Sequence, residues 1–262
     1  MSEKSPEGIQ VRLLGWFACT IGRGEVPIAP KAQRLIACLA LRGPTPRTVV
    51  ETLLWPQAGQ TQAAKGLRQS LWKIRKATGG ALLGAYGDQL ELLASVTLDF
   101  TPASRLAERL ARSTAPLEES MGPTAAGLAG PAEQGVTEQG RWPCLDLELL
   151  PSWDGEEIER ARERWDTMRL AALQQLGEST LAQQDLLSSL DYGRRAAAVD
   201  PFNERSQMIM ASALVGLGDM RGAWRLYTTY SDLVGAELGV DPSPRFLRIV
   251  TGVAQEDVPL RR

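Results

Sequence analysis

Six side chains in the first half of the chain, Lys65, Arg68, Gln69, Trp72, Lys73 and Lys76, recur at alternating intervals of three residues and one. At about 100° per residue, this spacing gathers them on one side of a helix spanning Gln62–Thr78. Lys65, Gln69, Trp72, Lys73 and Lys76 fall on its wet face, with Arg68 and Arg75 on the flank. Ala64, Leu67, Leu71 and Ile74 form the expected apolar face. The chemistry on offer is recognition, not bond-making. Lys65, Arg68, Lys73 and Lys76 suit phosphates or base edges, and Gln69 suits an adenine edge. Trp72 fits a sugar or a thymine methyl, or ordinary packing against the wing or the second domain, and packing is slightly favoured. No carboxylate interrupts the stretch, so the helix forgoes the i,i+4 ion pairs that a merely soluble helix would use. A solvated basic face with no ligand would show the same residues.

The surroundings favour a polyanion. From Lys31 to Lys76 nine basic residues face one acid, Glu51, whereas residues 141–262 carry fourteen basic and nineteen acidic residues. The net charge of -2 hides this asymmetry. Charges act only within a Debye length of about 10 Å, so the local excess is what a ligand meets. Arg34 and Arg47, at the starts of the first two helices, fit backbone clamps or plain solvation, and Arg47 joins the candidate DNA-binding set. Arg75 is placed to pair with an acid on a neighbouring element.

Composition narrows the function classes. The chain has no histidine, which removes His-based acid–base catalysis, Ser/His/Asp and Cys/His arrangements and His-ligated zinc. It has no GxxxxGK[ST] phosphate loop. Cys19, Cys38 and Cys144 are far apart and odd in number, which fits free thiols rather than a disulfide framework or metal knuckle. No catalytic residue, metal site or cofactor is expected, and the chain reads as a non-enzyme. The N-terminus lacks an apolar h-region and no apolar run reaches about 18 residues, so a cytoplasmic protein with no membrane segment is expected.

The elements that must position the basic helix read in order. Gln10–Ile21 is rich in strand formers, Gly22–Gly24 is a turn, and Glu25–Ile28 is a returning strand. Pro30 opens a helix over Lys31–Leu41, Arg47–Trp55 forms a second, and the basic helix is third. Ala81–Ala85 and Gln89–Leu93 flank a turn as a hairpin. Strands, three helices and a hairpin make a winged helix-turn-helix with an N-terminal sheet. Thr101–Arg112 reads as a connecting helix, and the Gly/Pro-rich run 113–140 as a flexible linker or long loop. Beyond it the pattern is helical, beginning with Glu156–Leu181. Asp185…Ser189…Gly193 aligns with Asp219…Ala223…Tyr227 at the tetratricopeptide period of 34, and Ala196, Ala211, Ala213 and Ala223 would let paired helices approach closely. Six further tryptophans, Trp16, Trp55, Trp142, Trp153, Trp165 and Trp224, read as core or domain-contact residues.

The chain resembles the SARP family of bacterial regulators. In the first half the resemblance rests on EVPIAPKAQRLIACLAL, on LLWP at Leu53–Pro56 and on AAKGLRQSLWKIRKA. In the second it rests on ELLPSWDGEEI at Glu148–Ile158, RRAAAVDPFNE at Arg194–Glu204 and AELGVDPSPR at Ala236–Arg245. It implies a mainly α fold with a small β component: a response-regulator-type winged helix-turn-helix over 8–100, a connecting helix over 101–112, the linker over 113–140, and a tetratricopeptide-like bacterial transcriptional activator domain over 141–254. It further implies an activator that binds tandem direct repeats in double-stranded DNA and contacts RNA polymerase, and it allows a homodimer on DNA. The wing departs from relatives: GAYGDQLEL has no Lys or Arg and carries Asp88 and Glu91. The alternative reading is a tetratricopeptide-like adaptor whose degenerate winged helix no longer binds DNA.

Overall fold

The computed structural model describes residues 8–113 and 142–252, which fall into two compact units. Residues 8–103 and 142–165 form the first, and residues 104–113 and 166–252 the second. All but Ser113 of the expected linker 113–140 lies outside the described residues.

The first unit has a four-stranded sheet in the order β3-β2-β1-β7, from β1 (Ile9–Arg12), β2 (Ala18–Ile21), β3 (Gly24–Glu25) and β7 (Val96–Leu98). β1 runs antiparallel to β2 and parallel to β7. Ile9 and Val11 point into the core while Gln10 and Arg12 face outward, the period-2 alternation of a half-buried strand. Three helices follow: α1 (Pro30–Arg42), α2 (Arg47–Leu54) and α3 (Gln60–Thr78). β4 (Thr45–Pro46) precedes α2 and pairs with the wing hairpin, β5 (Leu83–Tyr86) and β6 (Gln89–Leu92), in a second sheet ordered β4-β6-β5. α4 (Phe100–Arg112) follows β7.

The single strand expected over Gln10–Ile21 is two strands. Between them the chain leaves the sheet, and its backbone groups find other partners. The Leu13 and Leu14 amides donate to the two carboxylate oxygens of Asp99 at 2.8 and 3.0 Å. The Gly15 amide donates to the Glu148 carbonyl at 2.7 Å, and the Leu150 amide to the Leu13 carbonyl at 3.0 Å. Burial pushes the Asp99 carboxyl up, outweighing the backbone donors that pull it down.

The partner stretch for residues 13–15 is therefore Glu148–Leu150, in the motif ELLPSWDGEEI. Trp153 stacks on Phe17 with ring centroids 5.7 Å apart. Arg162, near the start of α5 (Glu156–Ala182), ties the loop down by donating to the carbonyls of Leu149, Leu150 and Trp153 at 3.0, 2.6 and 2.8 Å. Fully buried Trp165 donates from Nε1 to the Leu147 carbonyl at 2.8 Å and meets Phe100 edge-on. On α1, Arg34 pairs with Asp154 and donates to its carbonyl at 2.8 Å, and Arg42 pairs with Glu157 at 2.8 Å. The Arg34 contact holds the Asp154 carboxyl below the usual carboxylate range.

The second unit contains α6 (Leu186–Val199), α7 (Glu204–Gly216), α8 (Met220–Leu238) and α9 (Pro244–Thr251). Asp185, Asn203, Asp219 and Ser243 each cap one of these helices by accepting an amide of its first turn. The two aspartates of the 34-residue period thus stand at equivalent helix starts. Ala196, Ala211, Ala213 and Ala223 are fully buried, as close helix approach requires. α6 and α7 approach so closely that a Cβ on Gly193 would lie 2.6 Å from Met210 Cγ. Tyr230, Val234, Phe246 and Val250 close the core around Ala211 and Ala223. The result is a tetratricopeptide-like all-α domain after a winged helix-turn-helix, in a mainly α chain with a small β component.

Trp55 and Trp153 are partly buried, and Trp142 and Trp165 are buried. Trp16 and Trp224 are instead 60% and 48% exposed, so neither is a core residue. Arg12 lies over the Trp16 ring at 4.4 Å, and Trp224 stacks on Tyr227.

Asp99→Ala removes the acceptor for two main-chain donors at the bend between β1 and β2. Each buried donor left unmet costs about 1–3 kcal/mol. Urea unfolding is expected to show a midpoint well below wild type, with Asp99→Asn intermediate; equal midpoints for all three would show that water replaces the carboxylate freely.

Candidate nucleic-acid interface

α3 starts at Gln60 and ends at Thr78, where Gly79 takes a left-handed conformation at the C-cap. Its buried residues are Ala63, Leu67, Ser70, Ile74 and Thr78. Ala64 and Leu71 are only partly buried, so the inward face is turned from the one that hydrophobicity alone picks out. Polar residues supply the difference: buried Thr78 satisfies its hydroxyl by donating to the Ile74 carbonyl at 2.9 Å.

Lys65, Arg68, Gln69, Trp72, Lys73, Arg75 and Lys76 are all exposed. The helix therefore presents together every candidate that the sequence placed on it. Trp72 is 60% exposed, which corrects the preference for packing. The Lys76 ammonium lies 5.2 Å from its ring centroid, so indole and cation share one patch. Arg75 makes no ion pair with any described residue, although an acidic neighbour was expected.

The position of α3 depends on Trp55, the residue just past α2. A Cβ on Gly66 would fall 2.6 Å from the Trp55 ring, far inside van der Waals contact. Only glycine lets α3 lie on the indole at this distance. Lys31 covers the same ring from α1, 5.8 Å from the centroid. The second and third helices are thereby joined through an aromatic plate, as the two helices of a helix-turn-helix must be.

Arg47, the first residue of α2, is half-buried, and its amide donates to the Asp88 carbonyl in the wing turn at 2.9 Å. It stands apart from the α3 set, beside the hairpin. Arg34 belongs to the ion pair with Asp154 and is not a free clamp. The hairpin exposes Tyr86 at its tip and adds no cation. Burial pushes the Cys19 and Cys38 thiols up to about 11, so both stay protonated at neutral pH and offer no reactive thiolate.

Residues 98–253 match the bacterial transcriptional activator domain. The chain belongs to that family. With the winged helix-turn-helix before it, this domain makes the chain a SARP-family transcriptional regulator. A solved structure, Mycobacterium tuberculosis EmbR in complex with a low-affinity phosphopeptide, is similar with a TM-score of 0.66 at 19% identity. The alignment covers 95% of this chain and 66% of that one, so this SARP regulator spans slightly under two thirds of the EmbR chain. At that identity the likeness concerns the fold. Comparison with curated proteins returned no match. Among the described residues, no helix of this SARP chain is long and apolar enough to cross a membrane.

Gly66→Ala gives α3 a better helix former, worth about 1 kcal/mol in isolation. The clash with Trp55 is expected to reverse the sign and lower stability by about 1–3 kcal/mol, the usual cost of overpacking. Urea unfolding followed by circular dichroism measures this; a variant more stable than wild type would show that α3 is not pinned by Trp55.

Proposed function

We propose that the chain is a DNA-binding transcription activator, with α3 as the element that enters the major groove. One observation carries the reading: Lys65, Arg68, Lys73 and Lys76 are exposed together on a helix that bears no carboxylate. The helix diameter fits the groove, and its cations meet the phosphates that line it. Gln69 and Trp72 lie on the same surface and are the side chains suited to base edges. Arg47, at the start of the preceding helix, suits a phosphate contact. Tandem direct repeats in the promoter are what the family resemblance implies, and it allows a homodimer on DNA.

The helical half suits contact with the transcription machinery, including RNA polymerase. It is net acidic, and it exposes Leu187, Leu217, Met220, Trp224 and Leu238, apolar side chains that fit a protein partner better than a polyanion. No cofactor enters this reading.

The salt dependence of binding tests it. The logarithm of affinity is expected to fall linearly with the logarithm of salt concentration, and each phosphate contact removed should reduce the slope by about one unit. The combined variant Lys65→Ala, Lys73→Ala and Lys76→Ala is expected to lose about three units. A full-length chain that binds no DNA, or whose slope ignores all three substitutions, would favour a protein adaptor with a silent winged helix.

A further inference from the structure

The wing hairpin of this chain offers DNA no positive charge, yet the groove beside it is lined with arginines. That groove lies within the first unit, along Thr45, Pro46 and Val49, and carries Arg42, Arg160 and Arg164. Thr45 and Pro46 form β4, which is paired to wing strand β6, and they lead directly into α2 at Arg47. In a helix-turn-helix the first of the two helices crosses the phosphate backbone while the second enters the groove. α2 is that first helix, so the groove at its start lies where a backbone strand passes.

Arg160 and Arg164 come from α5, more than a hundred residues after α2. They stand four residues apart and so share one face of that helix. Arg164 is exposed and makes no ion pair with any described residue. Arg160 pairs with Glu156, an i,i+4 contact between side chains 60% and 77% exposed. Exposed pairs of this kind contribute little in water, so Arg160 can turn to a phosphate at little cost. Arg42 is differently placed: its bond to Glu157 at 2.8 Å holds the start of α5 against α1. Glu157 also faces the groove, and its charge is matched by Arg42. That leaves Arg164 with no ion pair among the described residues and Arg160 held only by the exposed Glu156.

We infer that Arg160 and Arg164 contact the DNA backbone beside α2, supplying from the activator-domain family region the phosphate contacts that the acidic wing does not. The inference rests on the reading of α3 as the groove-entering helix. It assigns phosphate contacts outside the winged helix, to a helix in the acidic half of the sequence.

The test compares salt slopes for the 262-residue chain on a duplex selected from a random-sequence pool by binding to it and on unrelated duplex. Arg160→Gln with Arg164→Gln is expected to reduce the slope by about two units on both duplexes, because phosphate contacts are blind to sequence. Arg160→Lys with Arg164→Lys should restore most of it, a check that holds even if the glutamine variant folds poorly. Arg194→Gln, which removes an exposed charge in the second unit, should leave the slope unchanged. An unchanged slope in the Arg160 and Arg164 variant, while the α3 lysine variant still loses its units, overturns this inference alone. If neither variant moves the slope, the reading of α3 fails as well. A loss of about one unit in Arg194→Gln, the same per charge removed, would reduce the effect to net charge and overturn the inference. A free phosphate ligand is the remaining source: inorganic phosphate at constant ionic strength would then raise the melting temperature of wild type and not of the variant, with the DNA slope intact, and that too overturns the inference.

Discussion

A helix with no acid among its cations repels itself, and it persists only if something other than charge holds it. In this chain that restraint is the contact between Gly66 and the Trp55 ring, backed by the buried Leu67 and Ile74. Neither part involves ionised groups, so it does not weaken as salt rises, whereas salt screens the exposed charges of the outward face. The same contact fixes which residues look outward. Because α3 lies flat on the indole at Gly66, the neighbouring positions 65, 68, 69 and 72 are turned away from the body of the unit. The uninterrupted basic face of α3 therefore follows from a missing side chain on its inner face.

The basic excess of residues 31–76 is divided between two uses. Arg34 and Arg42 go to Asp154 and Glu157 and hold the start of α5 against α1. Among the described residues the cations on α3 have no such partners. Counting charges along the sequence cannot make this distinction, because the acids that claim the two arginines lie in the other half. Part of the apparent acidity of that half is likewise matched by arginines from the first.

How far each element was legible follows from the range of the forces that make it. The helices of the repeat region were readable because Asp185 and Asp219 cap their own helices three residues on, and the small residues that allow close packing recur in step. The candidates on α3 were readable because a helix face depends only on spacing. The inward face was misplaced because Ser70 and Thr78 are buried although polar, and no hydrophobic pattern includes them. β7 has three residues and β4 two, too few to show an alternation. The bend at 13–17 was invisible because its hydrogen-bond partners, Asp99 and Glu148–Leu150, come from far along the chain. The groove with Arg160 and Arg164 was missed for the same reason, since helical spacing alone reads those arginines as solvated.

The pairing of residues 13–15 with residues 148–150 has a consequence for the order of synthesis. The strands and helices of the first unit leave the ribosome first, but the bend after β1 is not fully satisfied until ELLPSWDGEEI emerges, and Arg34 then waits for a partner 120 positions downstream. Closing so large a loop costs chain entropy that grows only slowly with its length, so the delay is set mainly by translation. The helices after it, which cap themselves and pack on sequence neighbours, need no such wait. A nascent chain stalled before residue 148 would hold the whole of α3 and Asp99, with the bend after β1 still short of Glu148 and Leu150.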